Sequence, residues 1–215
     1  MARRRFVAWG TFAVPAAVYL LLARHRQLRW GATGQEYAGP VAGDGLTPKA
    51  DSGATRAITI RVPADQAGPR IARLGQERGG SYSYDFLENL VGYDIHSAAR
   101  IVPGWKHIAL GDQVRLATQA GLAAVHVEAG RSLVLRGAVP VRNTALPHDL
   151  TWAFALRDES GETTRLLVLE RYGYTRSWAR LLVEPAEAIS FLMSREMLRA
   201  VEERAESTVT RPGGA

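Results

Sequence analysis

Asp85 and Glu88 stand three residues apart, a spacing that puts both carboxylates on one face of a helix. Buried together, such a pair can work as general acid and base. On a solvated first turn the same residues do less: Asp85 complements the helix N-terminus and Glu88 takes a surface ion pair. Asp94 and His96 form a D-x-H pair, which offers two metal ligands or a histidine that hydrogen-bonds a loop backbone. A metal site needs three or four ligands, and His107, His126 and His148 each follow a different element. No metal and no cofactor is therefore expected. Tyr82, Tyr84, Trp105, Trp152 and Tyr172 combine apolar rings with polar tips, which suits a pocket for a hydrophobic ring or acyl chain and equally suits a packed core. Glu170 and Arg171 lie in one predicted strand, so one of them can point inward. A buried arginine there would need a carboxylate, from a ligand or from Glu88. Met193 adds an adaptable apolar side chain. The catalytic candidates are thus Asp85, Glu88 and His96. The ligand-binding candidates are Tyr82, Tyr84, Trp105, Trp152, Arg171, Tyr172 and Met193.

These residues need elements to position them. Ile58, Ile60 and Val62 alternate with polar or small residues, as in a half-buried strand, and order is expected to begin at Thr55. Irregular helix follows to about Leu74, broken by Gly68-Pro69, and Ser83 can cap a second short helix to about Val91. Strands are predicted at Gln113 to Ala117, Leu122 to Val127, Ser132 to Arg136, Leu150 to Leu156 and Thr163 to Tyr172. The turns between them are Glu128-Ala129-Gly130-Arg131 and Asp158-Glu159-Ser160-Gly161. Trp152, Phe154 and Leu156 share one strand face. A long helix from about Trp178 to Glu206 carries Leu182, Ala186, Ile189, Met193, Met197 and Val201 at helical spacing, with Pro185 expected in its first turn. The pattern is an α+β domain with an antiparallel sheet laid on the last helix. A pocket between sheet and helix would be bordered by Tyr84 and Trp152.

The chain has 215 residues and no cysteine, which excludes disulfides, thiolate catalysis and cysteine-bound metals. It contains no Walker loop, dinucleotide fingerprint, HExxH or GxSxG motif. Its net charge of +6 is local, because six arginines lie among the first thirty residues with no acid. The other 21 basic residues match the 21 acidic ones, so the domain lacks the footprint that nucleic acid rewards. Phe6 to Ala23 is an uncharged apolar run of eighteen residues, about 27 Å as a helix, flanked by arginines. It reads as a transmembrane helix that leaves the protein single-pass, with the lipid bilayer as a partner. A cleaved export signal is the rival, since Arg3-Arg4-Arg5-Phe6-Val7 resembles a twin-arginine motif. The organisation is then a basic N-terminus at 1–5, the membrane helix at 6–23, a linker or arm at 24–54, a folded domain at 55–207 and a tail at 208–215.

The order of elements resembles the helix-grip fold of the START-like, or SRPBCC, superfamily, which includes polyketide cyclases and lipid-binding domains. Arg29-Trp30-Gly31-Ala32-Thr33, the run Gly80 to Leu90, Asp94 to Ala98 and Arg100-Ile101-Val102-Pro103 are similar to signatures of a bacterial group within it. Glu170-Arg171-Tyr172 and Glu184-Pro185 are similar to its later, weaker markers. The chain departs at Gly68 and Ser81, where the group often has aromatic residues that line or cover the cavity. The resemblance implies an internal apolar cavity and a hydrophobic small-molecule ligand, lipid- or polyketide-like, held in a membrane-anchored domain. The alternative it leaves open is a cyclase or dehydrase using one cavity acid or base.

Overall fold

A computed structural model of the chain describes residues 22–64, 67, 108–117, 120–137, 147–159 and 162–207. The frame is a six-stranded antiparallel sheet. Its strands are β1 (Ser52–Ile60), β2 (Gln113–Ala117), β3 (Ala120–Glu128), β4 (Ser132–Gly137), β5 (His148–Asp158) and β6 (Thr164–Tyr174). The order across the sheet is β1-β6-β5-β4-β3-β2. The last five strands form a meander, and the first strand returns to pair with the last. Gly130, at a positive φ of 74°, makes the β3–β4 turn that the sequence marks.

The alternation of β5 and β6 distributes their side chains over two faces. On one face Phe154, Leu156, Leu166 and Val168 join Ile60, Leu122, Leu133 and Leu135 in a buried core. That inner face is covered by helix α2 (Arg180–Ser207), whose Leu198 and Ala205 are fully buried in the same cluster. On the other face Ala57, Val134, Ala153, Ala155, Leu167 and Leu169 form a second buried cluster. Residues 31–46 cover it, with Ala32, Val41, Ala42 and Leu46 packed against it. Both faces are therefore dry at the centre, which accounts for the unbroken apolar run Leu166-Leu167-Val168-Leu169.

The covering arm is structured. Thr33 caps the short helix α1 (Gly34–Ala38) in a reciprocal capping box with Glu36. The arm also protects the free edge of β1, because the Ala57 amide donates to the Trp30 carbonyl at 3.0 Å. Gly31 allows that approach: it sits at φ 72°, and a Cβ there would lie 2.0 Å from the Ala57 carbonyl oxygen. Order in β1 begins at Ser52, three residues before Thr55 where the alternation becomes readable.

Helix α2 differs from its expected form in two ways. It begins at Arg180, preceded by a 3-10 turn at Ser177–Ala179, so Pro185 lies inside it and not in its first turn. Leu181, Leu182 and Pro185 are exposed, which places the proline on the solvent side of the helix. The inward stripe is also rotated by about one residue. Val183, Glu187, Ser194, Leu198 and Ala205 are buried, whereas Leu182 is 37% exposed. A one-residue step turns a helix by about 100°. Ser194 turns inward to meet Arg56 and Glu170 of the sheet, and Glu187 to meet Ser52 and Arg24 of the preceding chain. No helix among the described residues is long and apolar enough to cross a membrane, and residues 1–21, with most of the apolar run, lie outside them.

Candidate functional site at the inner face of the sheet

The inner face changes character along the strands. Toward Ile60, Leu156 and Leu166 it is apolar. Toward the opposite end, pairing aligns Ala54 with Glu170 and Ser52 with Tyr172 across β1 and β6. The same register aligns Trp152 with Glu170 and Leu150 with Tyr172 across β5 and β6. Strand parity thus brings Ser52, Arg56, His148, Trp152, Glu170 and Tyr172 to one end of one face.

Arg56 and Glu170 form the centre of this end. Their side chains are 1% and 6% exposed, and Nη1 of Arg56 lies 2.6 Å from Oε1 of Glu170. Burying two charges demands that their remaining donors and acceptors be met. Ser190 donates to both Glu170 oxygens at 2.6 and 2.7 Å, and Ser194 donates to Oε1 at 3.2 Å. Arg56 donates to Ser194 at 3.0 Å and, through Nε, to the Gln27 carbonyl at 3.3 Å. The Tyr172 hydroxyl donates to Oε2 of Glu170 at 3.3 Å. Burial first, and the Glu170 carboxylate second, push the Tyr172 pKa well above the usual phenol range, which keeps Tyr172 a neutral donor. A second clasp lies beside this network. Glu187 of α2 accepts from Arg24 at 2.6 and 2.9 Å and from the Ser52 hydroxyl.

Four polar atoms at this end are buried without a hydrogen-bond partner: Nε1 of Trp152, Nδ1 of His148, Nη2 of Arg56 and the hydroxyl of Tyr174. The His148 ring meets the Tyr172 ring edge-on at 5.6 Å, and the Trp152 ring lies 4.8 Å from that of Phe154. Burial lowers the His148 pKa, against a smaller opposing pull from Asp149. The indole N–H of Trp152 therefore stands where the apolar wall at Phe154 meets the charged end at Glu170, with a neutral imidazole beyond it.

As chemistry, the two described carboxylates of this face are committed. Glu170 is compensated by Arg56 and three hydroxyls, and Glu187 by Arg24 and Ser52, so neither is a poised base. His126 and Ser132 approach to 2.8 Å on the β3–β4 hairpin, but Glu128 bonds Ser132 and not the imidazole. A catalytic triad needs its carboxylate on the histidine, so this cluster is a hairpin brace. Among the described residues no group of three or more acidic or imidazole side chains could hold a metal ion.

The sequence-derived candidates divide sharply. Trp152 and Tyr172 lie on the inner face, and Met193 is half-buried on α2. Arg171 does not join them. Strand parity sends it to the outer face, where it donates to the Ala54 carbonyl at 2.9 Å and pairs with Asp44 of the arm at 3.5 Å. The inward member of that pair is Glu170, and the cation it meets is Arg56. Tyr82, Tyr84, Asp85, Glu88, His96 and Trp105 lie outside the described residues. Sequence reasoning missed Arg56, Ser190 and Ser194. The signal was present as one charged residue in an otherwise inward apolar series, Arg56 before Ile58 and Ile60, with Glu170 after Leu166 and Val168.

A five-stranded antiparallel meander completed to six by the first strand, with a long C-terminal helix across one face, is the helix-grip arrangement. The fold is α+β. Solved structures similar to this chain include a polyketide-cyclase-like protein from Corynebacterium glutamicum, at 15% identity and TM-score 0.41, covering 74% of this chain and 93% of that one. An aromatase/cyclase from a Streptomyces species has 14% identity and TM-score 0.42, covering 76% and 99%. Truncated norcoclaurine synthase from Thalictrum flavum has 10% identity and TM-score 0.44, covering 75% and 95%. No family model and no curated protein matches the chain.

Proposed function

We propose that this protein is a membrane-anchored module that binds a hydrophobic small molecule, lipid- or polyketide-like, between the inner face of the sheet and α2. The observation that carries the reading is the buried, unpartnered Nε1 of Trp152 on a wall of apolar side chains. A buried donor without an acceptor costs roughly 1–3 kcal/mol, and a ligand carbonyl or hydroxyl would remove that cost. The ligand then has an apolar body lying toward Phe154 and Leu135 and an acceptor group at Trp152. Binding is preferred over cyclase or dehydrase chemistry because Glu170 and Glu187 already hold cation and hydroxyl partners. The run Phe6 to Ala23 supplies the anchor, and apolar ligands partition into the same bilayer that would hold it.

Native mass spectrometry of the gently extracted full-length protein tests this. A co-purifying apolar species, displaced by an apolar fluorescent probe, is expected. Trp152→Phe keeps the ring but removes the N–H, and should weaken probes that carry a carbonyl about tenfold while leaving purely hydrocarbon probes unaffected. Absence of both a bound species and probe binding overturns the proposal.

A further inference from the structure

Residues 22–28 are helical and lead into the arm. They run beside α2 in the same direction, as three successive contacts show. Arg24 meets Glu187 at 2.6 Å. The Gln27 carbonyl meets Arg56, which also bonds Ser190 and Ser194. The Trp30 ring then meets the Phe191 ring at 6.4 Å and the Arg199 guanidinium at 5.9 Å. The described part of this lead-in helix therefore begins beside the N-terminal end of α2.

That end has an unusual surface. Thr175 to Val183 reads TRSWARLLV, with two arginines, and the acid that follows, Glu184, makes a 3.8 Å exposed pair with Arg180 that leaves Arg176 the freer cation. Trp178 is 52% exposed and Leu181 is 72% exposed, with Arg176 and Arg180 exposed between and beside them. Leu22, at 60%, and the exposed His25 and Arg26 belong to the neighbouring lead-in helix. An exposed indole and leucine would cost solvation in water. Placed at headgroup depth, they and their flanking guanidiniums match the apolar boundary and the anionic phosphates of a bilayer.

We propose that the turn Ser177–Ala179 and the first turn of α2 are a second membrane contact, seated on an anionic phospholipid surface beside the anchor. The inference rests on the anchored reading above and adds a posture to it. Arg24, one residue past the apolar run, bonds Glu187 and Ser52, which fastens the start of the lead-in helix to the domain. Ser52 pairs with Tyr172, so the polar end of the inner face, with Trp152 and His148, is the end nearest the lipid.

The absence of native cysteine allows single-site labelling of the full-length protein. Nitroxides at Leu181→Cys and Leu110→Cys start from equal exposure, 72% at both positions, and Leu110 lies in the turn before β2 at the opposite edge of the sheet. In vesicles of phosphatidylcholine and phosphatidylserine, the ratio of oxygen to nickel-chelate accessibility should be several-fold higher at position 181 than at 110. Arg176→Glu with Arg180→Glu should lower the ratio at 181 toward that at 110 while the protein still floats with the vesicles. Equal ratios in a protein that floats would overturn the second contact and leave the anchor standing. A protein that does not float with vesicles at high salt overturns both. Protection of position 181 from both reagents, with dipolar coupling between labels, assigns the face to a second copy and also overturns the proposal.

Discussion

The two faces of the sheet are covered by different means. The outer face is closed by the arm, a short stretch of chain that is nearly at backbone contact: a Cβ at Gly43 would lie 2.8 Å from Val134. Ion pairs fasten it around an apolar centre, Arg165 with Glu36 at 2.7 Å and Arg171 with Asp44 at 3.5 Å. The inner face is covered by α2, and its ion pair, Arg56 with Glu170, lies inside the structure and not at a rim. Among the described residues it also holds most of the buried polar atoms without a hydrogen-bond partner, whereas on the arm side Nε of Arg29 lacks one while its guanidinium stacks 3.7 Å over the Tyr37 ring. A face meant only for stability is closed like the outer one. A face that keeps unpartnered polar atoms beside an apolar wall has room in its chemistry for a further group.

The largest effect that separates the faces should come from Glu170→Ala. It leaves the guanidinium of Arg56 buried and uncompensated, and should cost about 3–5 kcal/mol in urea unfolding. Arg56→Met combined with Glu170→Leu removes both charges and should recover most of that loss. A Glu170→Ala protein as stable as the parent would break the contrast between a buried inner pair and a peripheral outer one.

On the outer side, the largest loss is expected where backbone meets backbone. Gly31→Ala adds a Cβ against the Ala57 carbonyl and strains a positive φ, and should cost roughly 2–3 kcal/mol in thermal unfolding. Gly130→Ala has nearly the same φ, 74°, with nothing within 4 Å of the new Cβ, and should cost only about 1 kcal/mol. Equal losses at the two sites would mean that the arm does not press on β1 as described.

This division explains what could be read from the sequence. The strands from Gln113 to Tyr174 follow from short apolar runs bounded by turn residues, which are local signals. Trp152 could be assigned to a face by parity alone. The Arg56–Glu170 pair could not, because it depends on β1 pairing with β6 across more than a hundred residues, and register between distant strands leaves no local mark. For the same reason the apolar pattern of α2 predicts a stripe one residue away from the buried one. Helical spacing alone puts apolar residues against the sheet, but Arg56 and Glu170 of the sheet draw Ser194 inward, and Arg24 with Ser52 draws Glu187. The arm, rich in glycine and without periodicity, is ordered through Thr33, Glu36 and Asp44, whose partners Arg165 and Arg171 lie far along the chain.

The smallest of these effects concerns pH, and it distinguishes the faces by the order in which they respond. On the inner face burial lowers the His148 pKa, so the unfolded chain takes up a proton more readily than the folded one. The contribution of neutral His148 is complete above its unfolded value of about 6.5 and is lost as pH falls from there. On the outer face the Arg165 guanidinium holds the Glu36 carboxyl at about 2, below the ordinary 4.5. Its contribution is complete above pH 4.5 and is lost as pH falls toward 2. Glu36→Gln should therefore cost about 1 kcal/mol at neutral pH, and the gap from the parent should close between those two values. His148→Phe should instead narrow its gap already between pH 6.5 and 5, where the parent begins to lose stability and the variant does not. Unfolding midpoints of the three proteins across this range check both windows. A Glu36→Gln gap that closes near pH 6 would place the first acid-sensitive contact in the arm, and would reverse the assignment of the stable face and the responsive one.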